Sequence, residues 1–544
     1  MSKKALFIFL ALVILLVPDL LLQDFKSNFC QSFFWIISKI LLLFGILLLV
    51  NVFIKPIAKT YLLVGIFYLI SSFSEIINIK LFQSLITLDV LKGLLFTLDN
   101  EISEFVEGFW NYFILPLILL ILFLVVLYYL KKNPYIFSLK QKLIFGLISI
   151  LISISINFTS RSFSALQFSG KNILKYTLRQ DNLKQHPFNL YYRLYELAYS
   201  RYQFKKYNEL KKHFSFGVME ISKDSLPDVV VLVIGERSRY KNWSINNYTK
   251  ETNPLLNKTE NLVVYSKNHA NANSTANSIP MIITRATPQN FELAFSEKTI
   301  VSLYKEAGYE TFWIASQGHC FDFIENKNEI DNVKEIYNLP EHTDLDVLPV
   351  FSSLIDLKSN KKKLIVINLI GGHGNVPKQF QKFSPNSFHK KTSISFENAP
   401  ILINDYDNMI LLQDYVLGNI IKKLQEKNQS SIFAYTSDHG CNLFDNGDVL
   451  FGYGTPNPTL NETHVPLLYW MSDKYVNANT ELAKTLYNNR NCATTSNSIF
   501  YTLANLSKIK YKDFPLIKST ASTQYIVPKK RYVFVNNTAL EYNP

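Results

Sequence analysis

Residues 229–254 read VVVLVIGERSRYKNWSINNYTKETNP, an apolar run that stops at Gly235 and is followed at once by Glu236. Branched apolar residues without alternation, closed by a glycine turn, are the pattern of a central parallel strand covered on both faces. In open α/β sheets the carboxyl ends of such strands are where ligands bind. Glu236 is therefore either a metal or substrate ligand or an acid that opens a helix. Two more stretches repeat the pattern: KKKLIVINLIGGHG (361–374) ends in His373 between glycines, and SSIFAYTSDHG (430–440) ends in Asp438, His439 and Gly440. An adjacent Asp and His supply an oxygen and a nitrogen to one divalent ion. Glu236, His373 and the Asp438/His439 pair are thus expected at one edge of a sheet, as a metal centre. After the first strand, NHANANSTANSIPMIITRATP (268–288) places Ser274 and Thr275 before a helix-like segment. A hydroxyl there is favoured as its alkoxide by the helix N-terminus and by a nearby cation; the plainer reading is an N-cap.

The chain has 544 residues, 48% hydrophobic and 14% aromatic. Its apolar segments gather in the first third: residues 5–22, 33–54, 60–78, 109–130 and 142–160 each approach the twenty or so apolar residues that a bilayer helix needs. The expectation is five spans, the first retained because it lacks a small-residue cleavage site. Lys3 and Lys4, Lys55 and Lys59, and Lys131, Lys132, Lys140 and Lys142 mark the cytoplasmic loops. Everything after about residue 161 then lies on the far side. The spans carry almost no internal charge, which argues against a transporter.

The remainder is ample for one large α/β domain. It opens with a connector, 161–226, whose LYYRLYELAYSRYQFKKYNELKKHF (190–214) reads as a basic, aromatic amphipathic helix that lies on the lipid surface or packs on the domain. Lysine and arginine number 56 against 43 acids, a formal charge of +13, which suits anionic lipid or a phosphorylated glycan as partner. Nucleic acid is excluded by the missing recognition patterns and the anchor. Cys30, Cys320, Cys441 and Cys492 all fall on the predicted external side, where disulfides are allowed, and permit three full pairings.

GERSRYKNWSINNYTKETNP, NSTANSIPM, GGHG, NDYDNMILLQDYVLGNIIKKL, SDHG and ETHVPLLYW, in that order, resemble the bacterial phosphoethanolamine transferases, membrane-anchored members of the alkaline phosphatase and sulfatase superfamily. The resemblance implies a five-helix transmembrane bundle (1–160), the connector, and a sulfatase-like periplasmic α/β/α domain (227–544). It further implies an inner-membrane, multi-pass protein that uses zinc, one ion expected, to move phosphoethanolamine from phosphatidylethanolamine to lipopolysaccharide, at an inner-core sugar or lipid A. The metal ligands implied are Glu236, Thr275, Asp438 and His439, with Thr275 the nucleophile that carries a covalent intermediate. His373 is implied as a contact to the transferred group or to a second ion, and it or another nearby imidazole is able to protonate the leaving oxygen.

Three positions depart from the family pattern. Asn271 and Met281 stand where many members have a disulfide around the nucleophile, Cys441 stands where an acid follows S-D-H-G, and Phe451 replaces a histidine. Weaker substrate contacts are assigned to His464, read also as a core histidine, to His319 beside Gln317, and to Asn100 and Glu104 in TLDNEISEF (97–105). Arg239 and Lys241 either attract phosphate or are simply solvated. On the same scaffold the rival readings are a phosphoglycerol transferase, a phosphodiesterase, or a membrane-anchored binding protein without activity. A sulfatase activity would require a C-x-P-x-R type sequence, which NSTANSIPM does not offer.

Overall fold

All five apolar segments are helical in the computed structural model, which describes the chain except residues 1–2, 23–28, 83, 96–105, 107–109, 134–136, 169–183, 220–225, 319–329, 340–341, 374–379, 381–382, 384–393, 448–449 and 543–544. Four contain single helices long and apolar enough to cross a membrane: Ser32–Phe53, Ile57–Phe82, Trp110–Lys132 and Leu139–Asn157. The first is split at Leu16 into Lys3–Leu15 and Val17–Leu21. Pro18 explains the split, because it lacks an N–H and its ring crowds the preceding turn, yet it fits the first turn of a new helix.

The chain divides into two units, residues 1–91 with 109–198, and residues 92–108 with 199–544. Within the first, helices Phe29–Phe53 and Leu139–Phe168 approach closely through Gly45 and Gly146, where an added Cβ at Gly45 would stand 2.8 Å from the Gly146 carbonyl. Small residues at a crossing permit such backbone approach in lipid. The few charges inside the apolar segments are buried and paired. Asp19 Oδ2 lies 2.7 Å from His186 Nδ1 and its Oδ1 3.7 Å from Lys39 Nζ, while Glu75 accepts from Asn189 Nδ2 and the Ile86 N–H. Pairing is what makes such burial tolerable.

The second unit is built on a seven-stranded sheet. Its strands are β1 (Val229–Gly235), β2 (Leu262–Tyr265), β3 (Glu310–Ala315), β4 (Asn332–Glu335), β5 (Lys363–Asn368), β6 (Ser431–Ser437) and β7 (Leu467–Met471). They run in the order β2-β7-β6-β1-β5-β3-β4, with β6 through β4 parallel and β7 antiparallel to both its neighbours. Both faces are covered, as the unbroken apolar runs predict. Val230, Leu232 and Ile234 enter a core shared with helices Thr275–Ile283 and Ser498–Leu506, whereas Val229, Val231 and Val233 enter one shared with Val347–Asp356 and Ala399–Lys427. Each such side chain contributes about 1.5–3 kcal/mol by leaving water. The result is an α/β/α sandwich in which β1 lies between β5 and β6, so the three strands that end in polar residues are neighbours.

Candidate metal centre and nucleophile

The register carries Glu236 to the level of Asp438, since Gly235 pairs with Ser437 and the Asp438 N–H donates to the Gly235 carbonyl at 3.0 Å. On the other side of β1 the Gly372 N–H donates to the Glu236 carbonyl, so the turn at Gly371, Gly372 and His373 closes against the same edge. Gly371 has φ +45°, and a Cβ there would stand 2.6 Å from the Glu236 carbonyl, so only glycine fits. Asp344, buried, holds this turn by accepting from the Ile370 and Gly371 N–H groups and the Ser316 hydroxyl, all at 2.9 Å.

Donor atoms of Glu236, Asp438 and His439 lie within 4.8 Å of one another, and all three residues are buried. His439 Nδ1 is 2.8 Å from the Gly440 carbonyl, which can only accept, so in the neutral ring Nδ1 carries the proton and Nε2 keeps its lone pair. That Nε2 stands 3.5 Å from Glu236 Oε1 and 3.4 Å from Asp438 Oδ2. Burial first, and then the charge of Asp438, push the Glu236 carboxyl well above its usual range, while burial holds His439 below the usual imidazole value. Asp438 Oδ2 is buried and accepts no hydrogen bond among the described residues. Two crowded carboxylates, one of them with an orphaned oxygen, facing an imidazole lone pair form a donor set that a divalent cation satisfies.

Thr275 opens its helix facing this group. Its Oγ1 is 3.1 Å from Glu236 Oε2 and 3.2 Å from His439 Nε2. The Ser274 hydroxyl instead accepts from Asn277 Nδ2 at 3.1 Å, so geometry separates two hydroxyls that the residues alone leave open. Without cysteines, the loop before Thr275 is held by polar contacts. Asn271 Oδ1 accepts from the Asn497 N–H and its carbonyl from the Phe534 N–H, while Asn273 Nδ2 donates to Glu462 Oε1 and the Thr455 carbonyl. Met281 packs in a small core with Ala272, Phe291 and Phe534. Cys30, Cys441 and Cys492 are free thiols.

Glu462 enters the sequence reading only as the first residue of ETHVPLLYW, with no role of its own. It is fully buried and also accepts from the Thr455 N–H and hydroxyl and the Thr459 N–H, at 3.0, 2.6 and 2.8 Å. Glu462→Gln turns an amide donor against these donors. The expected cost is about 2 kcal/mol of stability, with slower turnover as the Asn273 loop loosens, read by thermal unfolding and activity of the full chain.

His373 sits on the closing turn, its N–H donating to the Ile370 carbonyl at 2.9 Å. His464 lies outside the three-residue cluster: its Nε2 meets the Ser266 carbonyl at 3.0 Å, and its ring is stacked between Tyr240 and His269. Arg239 and Lys241 both pair with Asp445. Gln317 accepts from Asn368 Nδ2. Asn100, Glu104, His319 and Cys320 lie outside the described residues.

The histidine stack carries a pH consequence. Burial lowers His464 to about 4 and His269 to about 2. Between pH 6.5 and 4 the unfolded chain takes up protons that the folded chain refuses, so stability falls as pH falls through that window and is fully present above it. For His464 the loss is on the order of 3 kcal/mol. A His464→Phe variant is expected to flatten the slope of unfolding free energy between pH 6.5 and 4.

Residues 228–509, just over half of the chain, match the Sulfatase family, and the chain belongs to it. Among curated proteins it is similar to phosphoethanolamine transferase EptC of Escherichia coli (strain K12), 30% identical over 267 residues that cover 46% of each chain. Phosphoethanolamine transferase EptA of the same strain is 29% identical over 267 residues, covering 46% of this chain and 47% of that one. The chain spans about half the length of the curated relatives it matches. The solved integral membrane protein lipooligosaccharide phosphoethanolamine transferase A from Neisseria meningitidis shares the fold over 95% of this chain and 98% of its own, with TM-score 0.74 and 20% identity. The C-terminal periplasmic domain of Escherichia coli EptC, crystallised in complex with Zn, matches 60% of this chain and 96% of its own, with TM-score 0.53 and 23% identity.

Proposed function

We propose that the chain is a zinc-dependent transferase that moves phosphoethanolamine from phosphatidylethanolamine to lipopolysaccharide, at an inner-core sugar or lipid A, from the periplasmic face of a bacterial inner membrane. The observation that carries this reading is the meeting of the Thr275 hydroxyl with Glu236, Asp438 and His439 at the ends of β1 and β6. The similarity to phosphoethanolamine transferases and the zinc in the EptC domain support the choice of group and metal. Glu236, Asp438, His439 and Thr275 are the residues that would hold the ion. Zinc so bound lowers the pKa of the threonine hydroxyl and neutralises charge on the phosphoryl oxygens.

The chain's own groups then divide the work. Thr275 Oγ1, its hydroxyl proton already lost to solvent, forms a bond to phosphorus as the bond from phosphorus to the diacylglycerol oxygen breaks. His373, on the turn beside Glu236, gives that leaving oxygen its proton. An acceptor hydroxyl next attacks the phosphothreonine and gives its proton back to His373, as the bond from phosphorus to Thr275 Oγ1 breaks and leaves Thr275 deprotonated as it began; an acceptor phosphate oxygen attacks in the same way, with His373 reprotonated from solvent. The Gly440 contact keeps the His439 ring oriented throughout.

The test is a donor comparison: full-length protein in detergent with zinc and lipopolysaccharide, offered headgroup-labelled phosphatidylethanolamine or phosphatidylglycerol. Label transferred from phosphatidylethanolamine alone is expected. Transfer from phosphatidylglycerol would replace the reading with phosphoglycerol transfer, and release of soluble label without transfer would replace it with a phosphodiesterase.

A further inference from the structure

Arg237 follows Glu236 directly and has no part in the site derived above. Its backbone is left-handed, φ +56°, a conformation that costs a non-glycine residue energy and persists where surrounding structure enforces it. That turn directs the Arg237 N–H onto Asp438 Oδ1 at 3.2 Å, beside the cluster. The guanidinium lies over the Tyr453 ring, 5.0 Å from its centroid, and Tyr453 in turn packs on the His439 ring at 4.2 Å. Nη1 donates to the Gly372 carbonyl at 2.9 Å, on the turn that carries His373.

The fork is poorly used. Of the five N–H donors of a guanidinium, only Nη1 meets a protein acceptor among the described residues, and Nε is buried without one. No ion pair joins the group to Glu236 or Asp438 among the described residues, although the former precedes it in sequence. A half-buried, permanently charged group whose Nε is fully buried without an acceptor is costly unless an anion completes it. The arginine is therefore held by an aromatic face and one carbonyl, one ring away from His439 and bonded to the turn that closes the site.

We propose that Arg237 is a substrate-binding residue whose free N–H donors take a non-bridging oxygen of the phosphoryl group at Thr275. Planar, charge-assisted recognition of phosphate is the use to which arginine is best suited. The assignment deepens the transferase reading and rests on it for the identity of the phosphoryl donor, but not for the binding of phosphate itself.

Inorganic phosphate is the probe, titrated by calorimetry into zinc-loaded full-length protein without lipid. Arg237→Gly is the main variant, because its left-handed backbone suits glycine, and Arg237→Lys keeps the charge without the fork. Phosphate affinity is expected to fall about tenfold or more in Arg237→Gly and less in Arg237→Lys, the loss of one charge-assisted hydrogen bond. Zinc content is expected to be unchanged, and KM for the lipid donor to rise more than kcat falls. Affinity within twofold of the parent in Arg237→Gly, with zinc retained, would overturn the assignment even if headgroup transfer were proven. Arginine-dependent phosphate binding in a protein that accepts no phosphatidylethanolamine would uphold it while removing the proposed donor.

Discussion

Asp438→Asn is expected to lose its zinc. The parent should hold about one ion per chain after dialysis, and the variant close to none, with transfer reduced by about a thousandfold or more. The reason lies in the geometry of the donors. Asp438 divides its oxygens, Oδ1 accepting from the His439 and Arg237 N–H groups and Oδ2 accepting from no described residue. An asparagine keeps the size but removes the charge and can set an amide N–H where the cation belongs. Glu236→Gln should behave alike, because burial and the neighbouring carboxylate make an unneutralised pair at this position unfavourable. Adding zinc back after chelation should restore the parent and leave both variants inactive. Elemental analysis showing parental zinc in Asp438→Asn would rule out the cluster as the metal site.

The second large effect is at the proposed nucleophile. Thr275→Ala should abolish transfer, again by about a thousandfold or more, while keeping most of the zinc, since Glu236, Asp438 and His439 remain. Thr275→Ser should retain a measurable rate, lower by about tenfold, because its hydroxyl survives but the β-branch that restricts χ1 is gone. The order parent, serine, alanine separates a nucleophile from a residue that merely packs. Equal losses in the serine and alanine variants, or persistence of activity in alanine, would point to Ser274 or to direct attack by the acceptor.

Much of this site is legible in the order of residues along the chain. β1, β5 and β6 announce themselves because unbroken apolar runs that stop at glycine or a polar turn have few alternatives to a strand buried on both faces. Polar residues placed immediately after such runs point to the sheet edge, which is where Glu236, Asp438 and His439 stand. Which strands adjoin is not legible, because parallel pairing joins residues about 130 to 200 positions apart through crossover connections. The choice between Ser274 and Thr275 depends on the angle at which their helix begins, a tertiary property. Nothing in the sequence sets Arg237 apart from the neighbouring loop charges Arg239 and Lys241. Its role emerges only when Tyr453, remote in the chain, packs against both it and His439. Glu462 is hidden for the same reason, its partners Asn273, Thr455 and Thr459 being gathered by the fold. In the membrane part, hydropathy finds every apolar segment, but the break at Leu16 follows from Pro18, which a sliding apolar count ignores.

The most direct test of covalent transfer through Thr275 is peptide mass spectrometry of full-length protein incubated with phosphatidylethanolamine and zinc in the absence of acceptor. The expected result is a phosphoethanolamine adduct on Thr275, lost in Thr275→Ala and discharged when lipopolysaccharide is added. An unmodified Thr275 in zinc-loaded protein that still transfers the headgroup would contradict it.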